Sequence, residues 1–173
     1  MEEEIDFISQ FNRASLGAIP EVIINEFLIN NEQLGRLGGI FFLSFALVQI
    51  PIGILLDRFN PLKVIFFMLF FIFIGSIFIS LATSYETLLL ARSLQGIGCG
   101  VCLMGPLVIL AKYGEKKNFS KYSGYVMGIG GLGALAATKP FYFLTLKIGW
   151  REGFLITTSL IVFLIIFIFI LLC

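Results

Sequence analysis

The chain has 173 residues, 58% of them hydrophobic, 15% aromatic and only 13% charged, where an ordinary soluble domain is about 45–50% apolar and about 25% charged. With 20 Phe and a mean hydropathy of +1.00, a water-soluble core is excluded and the solvent of this chain is lipid. A net charge of +1 and the absence of His leave no basic stripe for nucleic acid and remove the commonest general base and metal ligand, so neither a nucleic-acid partner, an enzymatic site, a metal nor a cofactor is expected.

The chain opens Met-Glu-Glu-Glu-Ile-Asp, without the basic start of a cleavable signal peptide. Crossing about 30 Å of hydrocarbon takes roughly 20 helical residues, and six segments meet or approach that length. The first, about 5–27, is punctuated by Asp6, Arg13, Glu21 and Glu26. It is read as a span because a turn-like stretch, 28–33, follows it and because the loop charges require its parity; the alternative is a helix lying in the interface. The second, 36–56, contains Gln49, Pro51 and Gly53 and runs into Asp57 and Arg58. The third, 63–84, is almost wholly Ile, Leu and Phe. The fourth, 87–111, holds Arg92 and the fifth, 122–146, holds Thr138, Lys139 and Pro140, while the sixth, 153–173, is again uniformly apolar. The expected fold is therefore all-α, a single six-helix transmembrane bundle over residues 1–173.

Loops 57–63 and 112–121 carry Arg58, Lys63, Lys112, Lys116, Lys117 and Lys121, against Arg36, Lys147 and Arg151 near the opposite face. The positive-inside rule puts the first set in the cytoplasm, with both termini, in an inner membrane. Helix character returns every third segment: one and four carry Arg, two and five carry Gly, Pro and polar residues, three and six are apolar. This reads as a 3+3 repeat with the third pair facing lipid. A charge at membrane depth is costly, so Arg13 and Arg92 are expected to face a bundle interior or a water-filled cavity.

Three stretches carry a family likeness. QIPIGILLDRF with Lys63 beyond it resembles the loop motif of the major facilitator superfamily through Gly53, Asp57, Arg58 and Lys63, departing from it at Asn60, Pro61 and Leu62. Asn60 stands where that family usually has Gly, and its tolerance of the left-handed region is expected to preserve the turn. LARSLQGIGCG is similar to the family's Arg-x-x-Gln-Gly motif through Arg92, Gln95 and Gly96; GGLGALAATKP followed by GWREGF resembles its fifth helix and the entry to its sixth. The resemblance implies one half, the amino-terminal six helices, of a secondary transporter that moves a small solute by alternating access. It also implies that Asp57 latches against the other half. Apart from that likeness, a charged pair at the end of a span can hold neighbouring helices in one of two arrangements, and Gly53, Asp57, Arg58 and Lys63 are the candidate conformational gate.

Arg92 and Gln95, three residues apart, share a helix face and suit a polar cavity wall. If Arg13 faces the same cavity, two planar guanidinium forks point to carboxylate or phosphate groups on the solute, an organic anion. Glu21 is placed either to neutralise Arg13 or to carry a coupling proton. Gly96 and Gly100 in one helix and Gly124 and Gly128 in another have the spacing of close helix packing. The run 128–133 matches a dinucleotide fingerprint but follows no strand and is rejected. Cys99 and Cys102 have redox spacing in mid-helix and read as core filler, and Lys139 reads as a snorkelling side chain. The chain ends at Cys173 without a connector, so a second six-helix half or a second copy of the chain is the expected partner besides lipid and solute. The rival readings are a half-size homodimeric transporter and a non-transporting truncated membrane protein.

Overall fold

The computed structural model describes residues 2–114 and 116–172, without the side chains of Glu2, Lys116, Leu171 and Leu172. Among the described residues all regular structure is helical: α1 (Glu2–Ser15), a 3₁₀ turn (Leu16–Ala18), α2 (Pro20–Phe27), α3 (Asn31–Arg58), α4 (Pro61–Ser80), α5 (Tyr85–Tyr113), a second 3₁₀ turn (Lys116–Asn118), α6 (Phe119–Ala136), α7 (Lys139–Ile148) and α8 (Trp150–Leu172). Residue 173, the expected end of the sixth helix, and Lys116, one of the six basic residues, fall outside the described residues and described side chains respectively. By length and composition, α3, α4, α5 and α8 are long and apolar enough to cross a bilayer.

Two segments expected as single helices are broken. The first gives way at 16–19, just ahead of Pro20, which starts α2 and has no N–H to continue an earlier ladder. The fifth breaks at 137–138 for the same reason, with Pro140 in the first turn of α7. Other boundaries move outward because caps satisfy the terminal amides. Asn30 and Gln33 form a reciprocal capping box (Asn30 Oδ1 accepts from the Gln33 amide at 2.8 Å, Gln33 Oε1 from the Asn30 amide at 3.0 Å). Helix α3 therefore starts within the stretch read as a turn. The expectation for Asn60 is corrected: its φ of −63° and ψ of 122° are extended, not left-handed. It works instead as the N-cap of α4, Oδ1 accepting from the Leu62 amide at 2.9 Å, with Pro61 at the first helical position.

Helix α5 is the centre of the bundle, packed against α3 on one side and α4 on the other, with α1 across it. Glycine makes this possible. A Cβ added at Gly96 would run into the Phe41 carbonyl of α3, and one at Gly100 would lie 2.5 Å from Val48 Cγ1, so the expected close packing of Gly96 and Gly100 is present. For Gly124 and Gly128 it is not: both are exposed, and a Cβ added at either would meet no other part of the bundle within 4 Å. The buried stripe of α6 is Val126, Gly130 and Gly133, two residues and hence about 200° round the helix from the expected pair. Gly133 lies directly on the Phe7 backbone of α1. The two uniformly apolar helices, α4 and α8, pack along each other while keeping Phe67, Phe70, Phe163 and Phe169 outward.

Candidate transport site

The most polar part of the interior lies where α1, α4 and α5 meet. Arg92 stands seven residues into α5, about 10 Å from its start, and is 1% exposed. Its Nη1 donates to the Asn12 carbonyl at 2.8 Å and to Gln95 Oε1 at 3.0 Å. The Gln95 amide in turn donates to Asn12 Oδ1 at 2.9 Å and to Ser76 Oγ of α4 at 3.0 Å. Asn12 closes the set by donating to the Ile8 carbonyl at 2.9 Å. The Arg92 guanidinium stacks on Phe41 of α3, its Cζ 4.5 Å from the ring centroid. No carboxylate pairs with this cation among the described residues, and its Nε has no hydrogen-bond partner. A buried polar network of this kind is stiff where it is satisfied and expensive where it is not.

The structure thus joins Arg92 to Gln95 and separates both from the other expected cavity residues. Arg13 points away from them, its exposed guanidinium lying over Phe42 and Phe45 of α3 at 4.7 and 5.7 Å. Glu21 is exposed in the first turn of α2 and makes no ion pair with Arg13. It lines a crevice of about 510 Å³ with Gly17, Thr138, Lys139 and Tyr142, formed where the two helix breaks face each other. At the far end of α3, Asp57, Arg58 and Lys63 are exposed and a Cβ added at Gly53 would meet nothing within 4 Å. Lys112 Nζ, from the last turn of α5, donates to the Leu56 carbonyl at 2.7 Å and so caps the end of α3 beside them. Cys99 and Cys102 are free and buried in mid-helix.

Sequence reasoning missed Asn12, Ser76 and Lys112 as network members. Asn12 carried a weak signal, an amide directly before an Arg in a candidate span. Ser76 and the Leu56 carbonyl have none, since only the pairing of helices brings them to Gln95 and Lys112.

The sequence model of the Major Facilitator Superfamily matches residues 6–172. The chain belongs to that superfamily. It is 41% identical over 76 residues to an uncharacterized transporter of Buchnera aphidicola, a match covering 43% of this chain and 20% of that one. Over 159 residues it is 24% identical to a probable L-galactonate transporter of Escherichia coli, covering 91% of this chain and 35% of the relative. A bacterial homolog of the human lysosomal transporter Spinster, solved in an inward-facing and occupied conformation, superposes with a TM-score of 0.81 at 23% identity, over 98% of this chain and 42% of that chain. At that identity the likeness shows the fold. The aligned region spans from a fifth to about two fifths of these proteins' own lengths. Membership of the superfamily and the apolar helices make this a multi-pass membrane protein of a transporter family, a non-enzymatic class.

Proposed function

We propose that the chain is one six-span half of a secondary transporter that moves a small organic anion by alternating access, completed by a second half or a second copy. In this reading α1 with α2 and α6 with α7 each cross the membrane as one broken span, giving six crossings in a 3+3 order. Both termini and the 57–63 and 112–121 loops face the cytoplasm, in the inner membrane if the host is bacterial. The observation that carries the solute class is Arg92, a buried guanidinium without a carboxylate partner among the described residues and with Nε unbonded. Burying a cation uncompensated is costly, and an anionic group arriving during the cycle supplies the missing charge. The relative named for L-galactonate is named for such an anion. The exposed Gly124 and Gly128, and Asp57 with no partner among the described residues, support a second bundle seated against this one.

One observation favours a second role for Arg92. Its bond to the Asn12 carbonyl, just before α1 gives way to the 3₁₀ turn, makes it a positioning residue for the broken span. Arg92→Lys separates the two, because Lys keeps the charge and loses the fork. With the chain reconstituted beside whatever completes it, an anion-binding Arg92 predicts that Arg92→Lys loses at least tenfold in solute affinity while insertion and the transport rate at saturation change little. A fall in saturated rate at unchanged affinity would instead establish positioning. Full activity on both counts would remove Arg92 from the site.

A further inference from the structure

Only two aspartates occur in the chain, Asp6 and Asp57. Asp57 is exposed at the end of α3; Asp6 is 1% exposed in the wall between α1 and α6. Its Oδ2 fills the space that the missing side chain of Gly130 leaves, so closely that a Cβ there would collide with it, and one turn further on the backbone of Phe7 rests on Gly133 in the same way. Gly130 is eleven residues from the start of α6, about 17 Å along the axis. Neither oxygen of the Asp6 carboxyl has a hydrogen-bond partner among the described residues.

We propose that Asp6 is a proton-binding site built into the seam between α1 and α6, carrying its proton while the seam is closed and releasing it when the seam opens. Among the described residues the ionised form has no hydrogen-bond donor to hold it in the closed packing. Among the described residues of its own helix the nearest cation is Arg13, two turns on, exposed and lying over the rings of Phe42 and Phe45; Glu3 and Glu4, toward the other end, add only negative charge. Helix α5 brings the Cys99 and Cys102 thiols, both buried and neither a cation, while its own buried cation, Arg92, is bonded further along α1 at Asn12 and to Gln95. Helix α6 has no ionisable residue between Tyr125 and Ala136, and α8 has none from Gly153 to Ile170. A carboxylate without donor or counter-charge in such a place neutralises instead of staying ionised. The neutral acid is small enough for the glycine notch, needs no partner cation and leaves the two backbones in contact. A crevice of about 320 Å³ lined by Glu4, Phe7, Ile8 and Ile129 runs beside the seam and gives it room to part.

The site is independent of the transport reading; the use of its proton to drive transport rests on it. The first measurement therefore needs no solute. Carboxyl-¹³C aspartate is incorporated into the Asp57→Asn variant in nanodiscs, so that Asp6 is the labelled group, and its infrared carbonyl band is followed with pH. A protonated acid at neutral pH is expected, absent from the double variant with Asp6→Asn. An ionised carboxylate at neutral pH overturns the site.

Seam opening is read by amide hydrogen exchange of α1 and α6 in the wild-type chain, corrected for intrinsic rates. A single-proton link predicts a tenfold rise in opening per pH unit, abolished by Asp6→Asn and, where the unpaired amide disturbs folding, by Asp6→Leu. Equal pH profiles in wild type and a folded variant overturn the switch. If the acid is protonated and the seam responds, yet flux with the completing half keeps its pH dependence in Asp6→Asn, the coupling role fails while the proton site stands.

Discussion

The two ends of the bundle are finished to different degrees. At one end, Glu26 near the close of α2 accepts from Trp150 Nε1 at 2.5 Å and pairs with Arg151, whose other nitrogen donates to the Ala82 carbonyl at 2.8 Å. Arg151 also lies over the Trp150 ring, and the Tyr85 hydroxyl donates to the Gln33 carbonyl at 3.1 Å. These contacts tie α2, the α4–α5 connection, α5, α3 and the start of α8 to one another. At the other end, the side chains of Asp57, Arg58 and Lys63 make no described bond to another helix, and one cross-helix bond, Lys112 to the Leu56 carbonyl, is found beside them. Hydrogen bonds made within the bundle stabilise it as it stands, whereas polar groups left unpaired hold interaction energy for something that docks later. One end is fastened, and the other, on the proposed reading, is a socket for a second bundle.

Removing the fastener gives the largest expected effect. Glu26→Ala strips Trp150 and Arg151 of their acceptor, and because both charged side chains are 35% exposed the loss is held to about 1–2 kcal/mol, measurable by reversible unfolding in bicelles. Lys112→Met should cost less, about 0.5–1 kcal/mol in the same assay, since it deletes a single charge-assisted bond at the end of α3. Asp57→Asn should change bundle stability by less than about 0.5 kcal/mol and yet weaken co-purification with a second half or a second copy. A stability loss at Asp57 equal to that at Glu26 would break the contrast. The sidedness is sharpened by a tag at Lys117, which should be unreachable from outside intact cells; labelling there would put the unpaired end on the wrong side of the membrane.

Much of this architecture was legible because lipid imposes a length and an apolarity that α4 and α8 display throughout and α3 and α5 over most of their length. The motif residues Arg92, Gln95 and Gly96 were legible for a related reason, since polar and minimal side chains in such a run are seldom idle. What the sequence concealed depends on rotation. Gly124 and Gly130 differ only in which way they point, and that is set by α1 settling on Val126, Gly130 and Gly133. Asp6 looked like a mark against a membrane helix, and its meaning emerges only once a glycine is seen to receive it. Arg13 and Arg92 read alike on paper, but the phase of α1 turns one outward and that of α5 turns the other into the bundle. The breaks before Pro20 and Pro140 were the most readable signals left unread, since each proline announces a missing amide.

Those two breaks give the molecule a short lever beside a long mast. Helix α5 runs about 43 Å without interruption, and where its glycines lie flat on α3 and α4 it has little slack, so tilting it carries its neighbours along. Beyond the 16–19 break, α2 is an arm of eight residues, about 12 Å long. A pivot of about 20° at its root sweeps its tip by about 4 Å, with the Glu26 clamp at the far end as the load it must drag. In the proposed alternating-access cycle the crevice between the breaks changes width while the mast stays still, a small local stroke set inside a larger rocking body.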